Sequence, residues 1–128
     1  MKINRRKTKI IKIGNLLIGG NNPVAIQSMA KIPTSDVRGT LREIRELERS
    51  GCEIVRLAVK DNRDIAALKK IRKGVKLPLV ADIHFDWRLA LGAIENGVDK
   101  IRLNPGNIYK QNQIREIARS AKLNGIPI

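Results

Sequence analysis

Short runs dense in Ile, Val and Leu alternate along the chain with longer stretches whose apolar residues recur every three or four positions, the rhythms of strand and helix respectively. Lys9–Ile13 and Leu16–Ile18 read as strands joined by Gly14-Asn15. Glycine first in a two-residue loop predicts a type II′ hairpin. Gly19-Gly20-Asn21-Asn22-Pro23 breaks the pattern, and a strand is predicted over Val24–Met29. Thr34, Ser35 or Asp36 can cap a helix with Val37, Leu41, Ile44 and Leu47 on one face, ended by Gly51. A strand over Glu53–Val59 precedes a helix near Asn62–Lys73 with Ile65, Leu68 and Ile71 inward. Gly74 and Pro78 bracket the turn into strand Leu79–His84. Asp86 is placed to cap a helix to about Asn96, with Trp87, Ala90, Leu91 and Ile94 inward, and Gly97 stops it. Lys100–Asn104 is a further strand, followed by a helix with Ile114, Ile117, Ala118 and Ala121 inward and Gly125 at its end. Ile126-Pro127-Ile128 reads as the start of another strand.

After the hairpin, strand and helix thus recur four times in units of roughly 25 residues, the size of a βα unit. Such repeats build an open doubly wound sheet or a closed (β/α)8 barrel. No Gly-x-Gly-x-x-Gly or phosphate-loop string follows a strand, which disfavours the nucleotide-binding sheet. The expectation is an α/β chain: an N-terminal β-hairpin and four βα units, about half of a TIM barrel, truncated at the start of its fifth strand. A whole barrel needs about 250 residues. The division expected is a basic segment with the hairpin over 1–23 and the barrel half over 24–128.

Side chains alternate along a strand. Ile54, Arg56 and Ala58 therefore share one face; so do Val80, Asp82 and His84, and likewise Arg102 and Asn104. Helices must cover the wholly apolar faces. Gln27, Arg56, Asp82, His84, Arg102 and Asn104 should then point to the barrel axis, in the C-terminal halves of their strands, where barrel active sites lie. A purely structural role would have Asp82 bridge Arg56 and Arg102. Buried ion pairs stabilise poorly, and two arginines per carboxylate are better explained by an anionic ligand held by guanidinium forks. His84 stands without a second His or a suitably spaced Cys, so no metal site is expected. Cys52, beside Gly51 at a helix-to-strand turn, reads as a small packing residue. Asn104-Pro105-Gly106-Asn107 is a turn whose backbone N–H groups could approach a phosphate.

Composition sharpens this picture in two respects. Aromatics are 2% and hydrophobics 42%, so the core is built from Ile, Leu, Val and Ala. The balance of 26 Lys+Arg against 12 Asp+Glu gives a net charge of +14, which suits nucleic acid, an anionic surface or a phosphorylated small molecule. The basic run from Lys2 to Lys12 has no interleaved aromatic to act as a stacking platform, so nucleic acid is disfavoured. No apolar run reaches the roughly 18 residues of a membrane span, and no h-region follows the basic N-terminus. With one cysteine no internal disulfide is possible, and a cytoplasmic location is expected.

Four strings carry a family resemblance: Ala25-Ile26-Gln27-Ser28-Met29, Glu53-Ile54-Val55-Arg56, Ala81-Asp82-Ile83-His84-Phe85 and Arg102-Leu103-Asn104-Pro105-Gly106-Asn107. In order and spacing the chain resembles the N-terminal barrel of the 4-hydroxy-3-methylbut-2-enyl diphosphate synthase family. The resemblance implies an oxidoreductase of the methylerythritol phosphate route to isoprenoids, which reductively opens 2-C-methyl-D-erythritol 2,4-cyclodiphosphate. It implies that Arg56, Arg102 and Asn104 contact the diphosphate, that Asp82 and His84 orient substrate or arginines, and that Gln27 and Ser28 line the floor. Asn107 joins this substrate-binding set as part of the matching turn. It further implies a 4Fe-4S cluster on a C-terminal iron–sulfur domain not contained in this chain, reduced flavodoxin or ferredoxin as electron donor, and a homodimer. On that reading these 128 residues carry no catalytic residue of their own and are inactive alone. Two other classes stay open: another anion-binding barrel of the pterin-binding synthase type, and a basic nucleic-acid-binding module.

Overall fold

The computed structural model describes residues 6–128; the first five residues, with Lys2 and Arg5 of the basic run, lie outside the described residues. The hairpin forms from β1 (Ile11–Ile13) and β2 (Leu16–Ile18), paired antiparallel with Ile13 opposite Leu16. Gly14 has φ +58° while no non-glycine among the described residues has positive φ, the combination a type II′ turn requires. β3 (Gln27–Met29), α1 (Val37–Arg49), β4 (Ile54–Val59), α2 (Asn62–Gly74), β5 (Leu79–Ile83), α3 (Arg88–Glu95), β6 (Lys100–Leu103) and α4 (Gln111–Leu123) follow in order.

The four later strands form one parallel sheet in the order β3-β4-β5-β6. The order never reverses, so each strand adds beside its predecessor as in a barrel wall, not as in a doubly wound sheet. Val55, Leu57, Val59, Leu79, Ala81, Ile83 and Ile101 are fully buried under the helices with Leu68, Ile71, Ala90, Ala93 and Ile117. The opposite, concave face carries the polar row.

Local chemistry explains the helix starts. Asp36, one of the three expected caps, accepts from the Gly39 N–H, and Asp61 accepts from the N–H groups of Arg63 and Asp64. In α3 the cap position belongs to Trp87, not Asp86. The Asp86 carboxylate still serves the first turn by accepting from the Arg88 N–H at 3.0 Å, while the Arg88 side-chain hydrogen bond holds its carboxyl below the ordinary value. Leu89 and Ala93 are buried in this helix alongside the expected Ala90 and Ile94.

Three further expectations shift. The strand expected over Val24–Met29 contracts to Gln27–Met29, because Val24 and Ile26 lie exposed along the sheet edge, where no neighbour completes a second ladder. In α4, Ile117 and Ala121 are buried but Ile114 and Ala118 are exposed, since the helix packs along α3 and leaves its other flank uncovered. Residues 126–128 form no strand; a single bond from the Ile101 N–H to the Pro127 carbonyl, 3.1 Å, runs alongside β6.

The hairpin is the element that turns the sheet into a vessel. Ile13, 1% exposed, packs with Ile54 and Val80, which lie on the concave face near the N-terminal ends of β4 and β5. Leu16, Ile18 and Ala25 complete this second core. The hairpin therefore plugs the bottom of the concave face and leaves its C-terminal half open. Gly19, at φ +84°, is where the chain leaves the hairpin, and a Cβ there would run into the backbone carbonyl of Lys9. Gly19→Ala should cost about 1–2 kcal/mol from the dihedral alone, with the clash added. It should appear as faster amide exchange over residues 11–18 while the four-stranded sheet keeps its protection; unchanged hairpin exchange would rule this account out.

Candidate anion-binding site

Register decides which side chains meet. In the sheet Met29, Arg56, Val80 and Lys100 stand in one row, and Ala58, Asp82 and Arg102 in the next row up. Partners in register share a face, so both rows look into the concave side. Arg56 is thus diagonal to Asp82, and Arg102 is directly beside it.

Asp82 is the hub. Its side chain is 3% exposed, an unusual place for a carboxylate unless it is paired. Oδ2 accepts from Arg56 Nε at 3.1 Å and lies 2.9 Å from Arg56 Nη2. Oδ1 accepts from Arg102 Nη1 at 3.1 Å. His84 Nε2 is 3.7 Å from Oδ2, too long for a hydrogen bond. One carboxylate thus aligns two guanidinium groups, leaving the cluster with one net positive charge when His84 is neutral. The arginines are half-buried, and these bonds employ a minority of the five N–H donors each carries. The two side chains stay 28% and 41% exposed, so the remaining donors can meet a ligand. The arrangement can hold a multivalent anion by charge-assisted, paired hydrogen bonds.

The other expected residues are arranged around this hub rather than all in it. Asn104 spends its Oδ1 on the Gly106 N–H, 3.0 Å, and its backbone carbonyl accepts from Asn107 and Ile108. Asn107 donates from Nδ2 to the His84 carbonyl at 2.8 Å, so it staples the loop after β6 to the end of β5. Gln27 stands in the Ile54 row at the level of the hairpin. There it lines a cavity of about 500 Å³ with Ile13, Gly20, Asn22 and Lys100. Ser28 pairs in register with buried Val55, so it faces the helix layer instead of the floor shared by Gln27; alternation along β3 sends neighbours to opposite sides.

His84 also borders a recess of about 380 Å³ above β3 and β4, lined by Met29, Lys31, Thr34, Ala58 and Lys60. Arg63 at its rim is paired to Asp61 at 2.7 Å; the hydrogen bond from Arg63 holds the Asp61 carboxyl low. Thr34 is buried and donates to the Ala58 carbonyl at 2.6 Å, fixing the loop after β3. Lys31, Lys60 and Lys100 are cations near the concavity that the sequence reading did not single out. Lys60 had a usable signal, because it directly follows a strand at its C-terminal end. Lys100 had one too, standing two residues before Arg102 and so on the same strand face.

Cys52 is buried on the opposite end, its Sγ 3.1 Å from the Ile54 carbonyl. Among the described residues no cluster of three His, Cys, Asp or Glu could hold a metal ion, and no helix is long and apolar enough to cross a membrane.

Comparison with known proteins adds to this geometry. Residues 8–128 match the family described as the GcpE TIM-barrel domain. The chain is 53% identical over 126 residues to 4-hydroxy-3-methylbut-2-en-1-yl diphosphate synthase (flavodoxin) of Ruminiclostridium cellulolyticum, covering 98% of this chain and 36% of that protein. It is 54% identical over 125 residues to the protein of the same name from Bacillus cytotoxicus, covering 98% and 34%. The chain thus spans about a third of the length of the curated relatives it matches. Among solved structures, a mandelate oxidase variant with benzoyl-formic acid superposes over 96% of this chain and 62% of its own, with TM-score 0.60 and 14% identity. That likeness concerns the fold alone.

Proposed function

The chain belongs to the GcpE TIM-barrel domain family, and from that premise we propose that it forms the substrate-binding part of a 4-hydroxy-3-methylbut-2-en-1-yl diphosphate synthase. Membership decides against the pterin-binding type of barrel. The observation that carries the reading is the pair Arg56 and Arg102 aligned by one buried carboxylate in the open half of the concavity. A cyclic diphosphate has the charge and the paired oxygens that such forks recognise. Asp82 sets the spacing of the forks, His84 offers a further donor from the rim, and the Asn104–Asn107 turn borders the same opening.

In the whole enzyme the reaction takes up two electrons and two protons: a ring C–O bond of 2-C-methyl-D-erythritol 2,4-cyclodiphosphate breaks, and water leaves to give the allylic diphosphate. Flavodoxin, part of the relatives' names, is the proposed electron source. The enzyme is proposed to work in the cytoplasm as a homodimer. An iron–sulfur cluster supplies electron transfer in this reading. The present residues do not fit one: the chain has a single cysteine, and Cys52 is buried with its Sγ on a backbone carbonyl. Cluster ligands must come from outside these residues. What this chain supplies is anion binding, orientation and a dry floor under the substrate.

Isothermal titration with pyrophosphate tests the site. Removing a charged hydrogen-bonding partner costs about 1.5–3 kcal/mol, so Arg56→Ala and Arg102→Ala should each weaken binding roughly 10- to 100-fold. Arg56→Lys keeps the charge but not the fork and should recover only part of the loss. If both alanine variants bind pyrophosphate as the parent does, the assignment is wrong.

A further inference from the structure

The outer face of α1 carries charge that the diphosphate site does not use. Arg38, Arg42, Arg45 and Arg49 are all exposed. At 100° per residue they fall within about 60° of one another around the helix, a single stripe along its length. None of the four takes part in an ion pair among the described residues, whereas Arg56, Arg63, Arg72, Arg88 and Arg102 all do. Glu43, the first acid within α1, is turned away to accept from the backbone N–H groups of Lys31 and Ile32. α2 packs close beside α1, with Gly74 directly against Leu41, and adds exposed Lys70 and Lys73. Six exposed cations thus lie on two neighbouring helices, with Glu46 and Glu48 the exposed acids of α1.

No large hydrophobic side chain is exposed on either helix. The face therefore lacks an anchor for inserting into a membrane and a platform for stacking bases. A charged face without an apolar centre suits a small, short-lived protein contact, the kind formed by redox partners, where complementarity governs encounter rate more than residence.

From this stripe we infer that the α1–α2 face is the landing surface for an acidic electron-carrier protein. The inference rests on the proposed flavodoxin dependence and adds the place of contact. The stripe begins at Arg38, at the end of α1 that adjoins the loop after β3, and so runs down from the same rim on which the anion site opens.

Titration of the full chain with oxidised bacterial flavodoxin tests it, with pyrophosphate affinity measured on the same samples. Binding should be detectable at 50 mM salt and weaken at least 10-fold by 300 mM. The double variant Arg42→Glu/Arg45→Glu should weaken it at least 10-fold while pyrophosphate affinity and the circular-dichroism melt stay unchanged. Lys70→Glu/Lys73→Glu gives the same test from the neighbouring helix should the α1 variant melt early. Arg56→Ala should leave flavodoxin binding intact, which separates failure of the anion site from failure of the docking face. Absence of binding at low salt, or equal affinity in both charge-reversed variants, overturns the inference. Tighter binding of a 20-nucleotide single-stranded RNA through the same arginines overturns it in favour of nucleic acid.

Discussion

Substituting Asp82 by asparagine should lower the unfolding free energy by about 2–3 kcal/mol, read as a shift of the urea midpoint at constant slope. The side chain keeps its size, so no cavity term enters. What is lost is the only carboxylate bonded to both Arg56 and Arg102, and an amide N–H₂ now faces a guanidinium that can only donate. Breaking a fully buried pair costs more, about 3–5 kcal/mol. The smaller figure applies because Arg56 and Arg102 have side chains 28% and 41% exposed and can recover hydration. Pyrophosphate should also raise the melting temperature of Asp82→Asn more than that of the parent, because the anion replaces the missing counter-charge. An unchanged urea midpoint would show that the cluster is a solvated surface network.

Truncating Ile13 to alanine should remove about 2–4 kcal/mol, the usual cost of emptying a buried isoleucine site, but the loss should be local. Ile13 is the hairpin's anchor on Ile54 and Val80, whereas the larger core on the helix side does not include it. Amide exchange should therefore accelerate over residues 11–18 while β4 and β5 remain protected. Pyrophosphate affinity should fall modestly, since water then reaches the floor beneath Arg56. Ile13→Asp should abolish docking outright. Unaltered hairpin exchange in both variants would mean that the hairpin does not depend on this contact.

These outcomes bear on different layers of information. That Arg56, Asp82 and Arg102 share a face was legible from the chain, because a period of two is a property of the strand itself and needs no knowledge of neighbours. The four βα units were legible for the same kind of reason: the apolar positions of α1 and α2 and the buried runs of β4 and β5 are local patterns. Local propensity says less about ends. Asp86 and Trp87 compete for one cap, and β3 is trimmed by lying at an edge, which its own residues do not announce.

The chain's own periodicity fixes the alternation, the burial of Leu57, Ala81 and Ile101 on one side, and the polar character of the other. Contacts across the sheet bring Asp82 to both arginines, set Lys100 in the Arg56 row and let the hairpin close the floor through Ile13. Each of these is a contact between residues distant along the chain. Its position follows from register and docking, which are fixed by the summed packing of whole elements and not by any short stretch of residues.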